Sequence, residues 1–397
     1  MFKLSDNVQR IAPSATMAIS SRAAAMKAAG EDVIALAAGE PDFATPQHIV
    51  DAAKAALDEG FTKYTPAAGM PQLRAAWADK IGRERGVTYD PKQLIVTAGG
   101  KQAVFNAVYA LAGAGDEVIV PAPYWVSYSE QVKAVGATLV VVQTGAEDEF
   151  KLGAAALRDA ITDRTRLLIL CSPSNPTGSV YTRDELEALA RVLVEHQVPV
   201  LSDEVYDALV YGREFTSIAS LGQEICDLTI VAGAVSKSYA MTGWRIGFAA
   251  GPAEVIAACG RLQGHSTSGA NSIAQKAALA AITGDQSSIE TMRLAFDERR
   301  KYMYGRLNAM FGVSCFEPTG AFYAFPDISA NYNQRYRGEK IGGSMDFCGL
   351  LLEHEKVALV PGVAFGNDNH VRLSYAASME QIKKALDRLE RFIGRID

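Results

Sequence analysis

A lysine that follows a short apolar run is the residue of this sequence best suited to covalent chemistry. A strand is predicted to end at Ala234, Ser236 and Lys237 follow at once, and Arg245 comes eight residues after the lysine. Desolvation at the lip of a strand lowers the pKa of a lysine, which frees the amine to form a Schiff base with a carbonyl. The guanidinium of Arg245 suits a dianionic phosphate. Taken alone, however, a lysine after a strand is usually a solvated surface residue.

Two further segments follow predicted strands and offer groups for an anion or a ring. Gly99 and Gly100 follow the strand Leu94–Thr97 and precede a helix. Two glycines without side chains let the backbone approach an anion, and the helix N-terminus offers free N–H groups, so a phosphate can bind there. The alternative is a plain turn with no ligand. Asn175 lies in the proline-stiffened loop SPSNPTG after the strand Arg166–Cys171, where its amide can donate to a phenolate oxygen. This loop can equally be a simple turn.

Three more side chains complete a ring-binding pattern. Asp203 follows the strand Val198–Ser202, where its carboxylate can pair with a pyridinium nitrogen or cap a helix. Tyr206 can form a hydrogen bond with a ring oxygen. Trp125 also follows a predicted strand, and it can stack on a flat heteroaromatic ring or pack in the core. A Schiff-base lysine, a phosphate clamp and an acidic partner for a ring nitrogen together predict pyridoxal 5′-phosphate (PLP) as the cofactor.

A carboxylate site is predicted from two segments at opposite ends of the chain. Arg372 is the one charged residue of the predicted strand VRLSY at 371–375, and its planar fork matches a carboxylate with two parallel hydrogen bonds. A structural salt bridge is the alternative. Gly39 lies in the turn GEPD, where its N–H or C=O can reach the same substrate.

Short apolar runs alternate with helical patterns through the middle of the chain, which predicts an α/β fold with a mostly parallel sheet between helices. Ligands bind at the carboxyl ends of such strands, where the segments above lie. The predicted strands are Leu94–Thr97, Glu117–Pro121, Thr138–Val142, Arg166–Cys171, Val198–Ser202, Thr229–Ala232 and Ile246–Ala250. The main predicted helices are Lys101–Ala112, Tyr128–Val135, Arg183–His196, Asn271–Ile282 and Ser288–Met310.

The pattern changes after about Asp285 and predicts a second, smaller α+β domain. We therefore predict an N-terminal arm and part of the small domain over residues 1–45. A large PLP-binding domain follows over 46–284, and the small C-terminal domain covers 285–397.

The composition is that of an ordinary globular protein, with 397 residues, 49% hydrophobic and 21% charged, and a formal net charge of −6. The sequence has no clustered basic face of the kind that binds nucleic acid. No apolar run reaches the roughly 18 residues of a membrane span. The first residues lack a secretory pattern and the five cysteines are scattered, so we expect a cytoplasmic protein. The five histidines show no metal-ligand spacing, and no G-x-S-x-G elbow of a hydrolase occurs.

Together the motifs resemble the class I/II aminotransferases, which are PLP enzymes of fold type I, over nearly the whole chain. Within that family they are most similar to the bacterial subgroup that transaminates aspartate and, in some members, prephenate. The matching segments are PSAT (13–16), AAGEPDFATP (37–46), KYTPAAGMPQLR (63–74), TAGGKQAVFNA (97–107), PAPYWVSY (121–128), SPSNPTG (172–178), SDEVY (202–206), SKSYAMTGWRIG (236–247) and VRLSYA (371–376).

The resemblance implies a role for every residue named so far. The ring would be held by Lys237 (covalently), Asp203, Asn175, Tyr206 and Trp125. The phosphate would be bound by Gly99, Gly100, Lys101, Ser236, Arg245 and, in a homodimer, Tyr64 of the partner subunit. The substrate would contact Arg372, Gly39, Trp125 and Asn175, with Lys101 on a distal carboxylate. The implied reaction moves an amino group from L-aspartate to 2-oxoglutarate by a ping-pong mechanism, with Lys237 as base and then acid.

Two departures from the family pattern change what we expect of phosphate binding and of the substrate range. Ala234 stands where glycine or serine is usual, so one phosphate contact is expected to be missing. Ala12 stands where relatives that use prephenate carry a basic residue, which argues against prephenate as a substrate. Three alternatives stay open: an aminotransferase for aromatic or other amino acids, a PLP-dependent C–S lyase, and a catalytically silent PLP-binding regulator.

Overall fold

The seven strands predicted in the middle of the chain form one sheet. The computed structural model describes residues 2–13 and 15–397, so Ser14 of the PSAT segment lies outside the described residues. The strands are β1 (Leu94–Thr97), β2 (Glu117–Ala122), β3 (Thr138–Gln143), β4 (Thr165–Cys171), β5 (Val200–Asp203), β6 (Thr229–Ala234) and β7 (Gly247–Ala250). Their order across the sheet is β1-β7-β6-β5-β4-β2-β3. Only β7 runs antiparallel to its neighbours, so the prediction of a mostly parallel sheet is confirmed.

Apolar side chains on both faces of the sheet pack against helices. Along β2, Val118 and Val120 share one core cluster with Val104 from the helix that follows β1. Ile119, between them, belongs to another cluster with Leu189 from the helix that follows β4. Successive side chains of a strand point to opposite faces, which explains this division. The nearly continuous apolar runs of these strands therefore reflect burial on both sides.

The helices lie close to their predicted positions. Their bounds are Asp6–Gln9, Ala15–Ala28, Gln47–Asp58, Pro71–Arg85, Gly100–Leu111, Val126–Ala134, Ala154–Ala160, Arg183–His196, Gln223–Cys226, Val235–Ser238, Ala253–Ser266, Ser272–Thr283, Ser287–Asn308, Ser344–Leu350 and Met379–Ile393. The helix at 183–196 has the predicted bounds because Thr182 and Glu185 form a reciprocal capping box at its start. Asn271 caps the helix that was predicted to begin with it.

A second core lies around a three-stranded antiparallel sheet. Its strands are Val360–Pro361, Val371–Ser374 and Tyr323–Ala324. Ile34 and Leu36 pack into the same core as side chains from the last hundred residues. The remaining short strands, of two residues each, are Ile34–Ala35, Arg335–Tyr336, Glu339–Lys340 and Val357–Ala358. The divisions at residues 45/46 and 284/285 stay a prediction.

Asp203 lies within a strand of the sheet and not after it, as had been predicted. Strand β5 begins two residues later than expected and includes Asp203, which is paired with Ala232 of β6. The carboxylate is therefore held by the last rung of the sheet. Within residues 2–13 and 15–397, no helix is long and apolar enough to cross a membrane, and no cluster of His, Cys, Asp and Glu side chains could hold a metal ion.

Candidate active site

A cavity of about 340 Å³ lies beyond the carboxyl ends of β2, β4, β5 and β6. Ligand sites of parallel α/β sheets lie at this edge. All residues predicted for the site except Gly99 and Tyr64 line the cavity: Gly39, Gly100, Lys101, Trp125, Asn175, Asp203, Tyr206, Ser236, Lys237, Arg245 and Arg372. The fold therefore brings together residues as far apart in the sequence as Gly39 and Arg372.

Lys237 is half-buried in the one-turn helix Val235–Ser238 directly after β6. Its Nζ donates a hydrogen bond to the backbone carbonyl of Gly39. Burial, together with the charges of Arg372 and Arg245, lowers the pKa of Lys237 to about 8, while Glu40 and Asp203 oppose the change. An amine with this pKa has a much larger neutral, nucleophilic fraction near neutral pH than an ordinary lysine.

Asp203 is buried beside the cavity and held by two donors. The hydroxyl of Tyr128 donates to its Oδ2 at 2.6 Å, and the backbone N–H of Val205 donates to Oδ1 at 3.3 Å. Burial raises the pKa of Asp203, whereas these hydrogen bonds and the charge of Lys237 lower it. Burial is the largest of these effects, so the net pKa is raised, and a cationic ring nitrogen is the kind of partner that would favour the ionised carboxylate.

Arg372 is 2% exposed and carries an unused donor. Its Nη1 donates to Asn175 Oδ1 at 2.9 Å and its Nη2 to the carbonyl oxygen of Ala37 at 2.7 Å, while the buried Nε has no partner among the described residues. No carboxylate of residues 2–13 or 15–397 pairs with it, so the alternative of a structural salt bridge is wrong. A buried cation without a counter-ion is a site for an anionic ligand. Because Asn175 Oδ1 is occupied, its amide N–H₂ is the group left to donate.

Glycines form a bare backbone surface beside Arg245. Gly99 has φ = +83°, and a Cβ there would lie 2.6 Å from Arg245 Nη2. A Cβ on Gly247 would lie 2.5 Å from the backbone N of Gly100, the first residue of the helix Gly100–Leu111. Only glycine fits either position, so Arg245 and the amide groups of the helix N-terminus stay close together. Ser236, buried in the cavity wall, adds a hydroxyl.

Lys101 and Trp125 face each other across the mouth of the cavity. Lys101 Nζ lies 4.9 Å from the centroid of the Trp125 ring. Burial and the nearby charge of Arg245 lower the pKa of Lys101. The indole in turn contacts the ring of Tyr128 edge-on, with centroids 5.3 Å apart. This half-buried indole is thus held in place with one face toward the Lys101 cation.

Two predicted residues do not line the cavity. Gly99 lies behind Arg245, where it makes room for the guanidinium. Tyr64 is 98% exposed and borders a separate surface depression formed by residues 62–65 and 267–272. Ala234 lines the cavity with a methyl group where a serine would offer a hydroxyl.

Several lining residues were missed from the sequence. Tyr128 and Tyr323 are the most important, because Tyr128 holds Asp203 and Tyr323 Oη lies 2.8 Å from Tyr206 Oη. The segments PAPYWVSY and FEPTGAFYAFPD contain them, but an isolated tyrosine in an apolar segment looks like core packing. The other missed residues are Met17, Val126, Ser127, Cys171 and Val205.

The donor set fits PLP on observations of this structure. A desolvated lysine suits an aldehyde, the glycine-lined cradle with Arg245 suits a phosphate, and the buried Asp203 suits a pyridine nitrogen. Among the described residues, no group of His, Cys, Asp and Glu side chains could bind a metal ion in this cavity.

Comparison with known proteins points the same way. The sequence model of "Aminotransferase class I and II" matches residues 31–389. Aspartate aminotransferase of Geobacillus stearothermophilus is 48% identical over 98% of this chain and 99% of its own. Aspartate/prephenate aminotransferase of Cereibacter sphaeroides is also 48% identical, over 98% of both chains.

Solved structures agree over the full length. Aspartate aminotransferase from Rhizobium meliloti superposes with a TM-score of 0.96 at 41% identity and covers 100% of both chains. The Thermus thermophilus enzyme with maleate gives a TM-score of 0.93 at 44% identity, over 99% of this chain and 100% of its own. The chain therefore belongs to the class I and II aminotransferases, a family of PLP-dependent transferases of fold type I.

Proposed function

We propose that this enzyme transfers the amino group of L-aspartate to 2-oxoglutarate, giving oxaloacetate and L-glutamate. The observation that carries the proposal is the unpaired, buried guanidinium of Arg372, which shares one cavity with the desolvated amine of Lys237 and the cation of Lys101. A dicarboxylic amino acid matches a cavity that holds two cations and a lysine suited to forming a Schiff base. Relatives named aspartate aminotransferase, 45–48% identical over nearly the full length, support this substrate.

The cofactor would be held by the residues that the cavity collects. When bound, PLP supplies an aldehyde for the lysine and a protonated ring that takes up electrons. Lys237 would hold it covalently, Asp203 would keep the ring nitrogen protonated, and Trp125 would cover one face of the ring. Asn175 and Tyr206 would donate to the ring oxygen. The phosphate would lie against Ser236, Arg245 and the backbone at 99–101.

Lys237 would also move the proton. Freed by the substrate, its Nζ would take the proton of the substrate α-carbon as a base and would then deliver it, as an acid, to the carbon that was the aldehyde of the cofactor. A pKa near 8 suits both directions at neutral pH, because neither protonation state is strongly disfavoured. The loaded enzyme would keep the amino group after the first product leaves, which predicts ping-pong kinetics.

A rate assay tests the proposed reaction. Aspartate and 2-oxoglutarate are mixed with the loaded enzyme and glutamate is measured at several fixed concentrations of each substrate. We expect parallel lines in double-reciprocal plots. Failure to form glutamate, with turnover of tyrosine instead or release of a thiol from a sulfur amino acid, would assign the site to one of the alternatives.

Lys101 is proposed to bind the side-chain carboxylate of aspartate. Replacing it with alanine removes a charge-assisted hydrogen bond, so kcat/KM for aspartate should fall about tenfold or more while alanine loses less than about threefold. Lys54→Ala, on the exposed face of the helix Gln47–Asp58, is the matched control. Equal losses for aspartate and alanine in Lys101→Ala would show that the distal carboxylate is bound elsewhere.

Prephenate is the substrate on which this chain departs from some relatives. Ala12 is exposed, and its backbone N–H donates to Glu130 Oε2 at 2.6 Å. We propose that the missing basic side chain leaves prephenate a poor substrate. A panel of aspartate, tyrosine, alanine and prephenate measures this directly.

We propose further that the active form is a cytoplasmic homodimer. All five cysteines are unpaired, as suits a reducing compartment. Tyr64 is almost fully exposed, and so are Phe2 (99%) and, in part, Leu4 (59%), which lie outside any core of this protomer. Large exposed apolar groups of this kind mark contact surfaces. In the dimer, Tyr64 of the partner subunit would reach the phosphate.

Mixed dimers test this arrangement. Tyr64→Ala should weaken cofactor binding, and Lys237→Ala should be inactive, each as a homodimer. Refolding the two variants together creates one site with an intact Lys237 and Tyr64 of the partner subunit, so we expect activity to return to that site. The reference is each variant refolded alone. A fully active monomer in sedimentation, or no gain of activity on mixing, would contradict the shared site.

A further inference from the structure

The hydroxyl of Tyr323 lies where the groups proposed for the ring and for the substrate carboxylate meet. Its oxygen is 2.8 Å from Tyr206 Oη, and both side chains are buried, with 1% and 6% exposure. The guanidinium of Arg372 lies 4.4 Å from the centroid of the Tyr323 ring. A Cβ added to Gly39 would lie 3.0 Å from the same hydroxyl. Tyr323 thus lies between Tyr206, which is proposed to bind the cofactor ring, and Arg372, which is proposed to bind the substrate carboxylate.

We infer that Tyr323 is a positioning residue that donates its proton to Tyr206 and thereby strengthens the hydrogen bond of Tyr206 to the ring oxygen of the cofactor. The inference rests on the proposed function, since it uses the proposed contact between Tyr206 and the ring. Tyr323 itself does not need to touch the cofactor.

The proton count determines the direction of the hydrogen bond. A phenol has one proton to donate and can also accept. Either oxygen of the pair can act as the donor in the cofactor-free structure. Once Tyr206 gives its proton to a ring oxygen, the proton between the two phenols has to come from Tyr323. A hydroxyl that accepts a hydrogen bond becomes a better donor, because chains of hydrogen bonds polarise one another.

The charges around the pair favour the same direction. Burial raises the pKa of Tyr323, and the adjacent charge of Arg372 opposes that rise. Burial raises the pKa of Tyr206 strongly, and the neighbouring Tyr323 hydroxyl adds to it. Arg372 lies over the ring of Tyr323, and its charge is the first cause that opposes burial there, whereas for Tyr206 it opposes a rise to which Tyr323 itself contributes. Tyr323 is therefore the better donor of the two.

The consequence appears at Lys237. When PLP is bound, a negative charge on its ring oxygen would help Lys237 Nζ to keep its proton. A stronger donor at the ring oxygen takes up part of that negative charge, so Nζ loses its proton at a lower pH. A deprotonated Nζ in the resting enzyme can accept a proton from the ammonium group of an arriving amino acid.

The test is a spectroscopic pH titration of the loaded enzyme. The visible absorbance of bound PLP is followed against pH in wild type, Tyr323→Phe and the control Tyr375→Phe. Tyr375 is equally buried, but its hydroxyl lies near the carbonyls of Gly320 and Ala321 and does not line the cavity. We expect the midpoint of Tyr323→Phe to rise by about 0.5–1 pH unit, the size of one hydrogen bond, and that of Tyr375→Phe to stay unchanged.

An unchanged midpoint in a loaded, active Tyr323→Phe enzyme would overturn the inference alone. If Tyr323→Phe does not fold, Gly39→Ala provides the second variant, because its methyl group displaces the Tyr323 hydroxyl and should also raise the midpoint. An unshifted Gly39→Ala titration would then overturn the inference. Wild-type protein that binds no PLP covalently would instead refute the proposed function itself.

Discussion

Lys237→Ala is expected to abolish covalent cofactor attachment and to lower kcat by at least about 10³-fold, since one amine provides both the attachment and the proton transfer. Attachment is measured by borohydride reduction followed by mass spectrometry of the tryptic peptides, and kcat by the glutamate assay. Lys237→Arg keeps the positive charge but offers no primary amine, so it should be equally deficient. Lys54→Ala is the control for loss of a lysine outside the cavity.

The fold is expected to survive this substitution. Burial lowers the pKa of Lys237 from its ordinary 10.5 to about 8, so the charged amine disfavours folding at every pH below about 8, and that penalty fades between pH 8 and 10.5. Removing the amine therefore does not take away a stabilising charge. A reduced pyridoxyl group that still attaches to the Lys237→Ala chain, or a loss of kcat below tenfold, would contradict the assignment.

Arg372→Lys is expected to lower kcat/KM by about 100-fold or more for every α-amino acid. A lysine cannot reproduce the planar fork, and two charge-assisted hydrogen bonds contribute about 1.5–3 kcal/mol each. The loss should be the same for aspartate and alanine, because both carry the α-carboxylate. This common loss distinguishes Arg372 from Lys101, whose replacement should affect aspartate selectively.

Two measurements make the Arg372 result specific. The visible absorbance of bound PLP should remain, which shows that the site still assembles. Arg22→Lys, on a surface pair with Glu353, is the control for the same change in chemistry. A loss of less than tenfold with both amino acids would remove Arg372 from the substrate site.

Residues at strand ends could be predicted from the sequence because the carboxyl ends of parallel strands converge. Asn175 follows β4, Asp203 ends β5 and Lys237 follows β6. These three strands are neighbours, so the sheet order places the three residues around one cavity. The helix Arg183–His196 had predictable bounds because its capping residues are local in sequence. For these features, short-range patterns carry enough information.

Contacts between distant aromatic residues could not be predicted in this way. Tyr206 and Tyr323 are 117 positions apart, and neither local pattern distinguishes a hydrogen-bonding phenol from a core ring. Tyr128 lies three positions after Trp125 in an apolar segment, where its pattern equally fits a ring of the core. The two-residue strands Ile34–Ala35 and Val357–Ala358 are too short to show any periodicity, and only tertiary packing pairs them.

The hydrogen bond from Lys237 to the carbonyl of Gly39 joins the proposed nucleophile to a turn that lies 198 positions earlier in the chain. A covalent bond from Nζ to the cofactor would compete with this hydrogen bond, because the same nitrogen serves both. The Gly39 oxygen would then be open to another donor, and the ammonium group of an arriving amino acid can supply one.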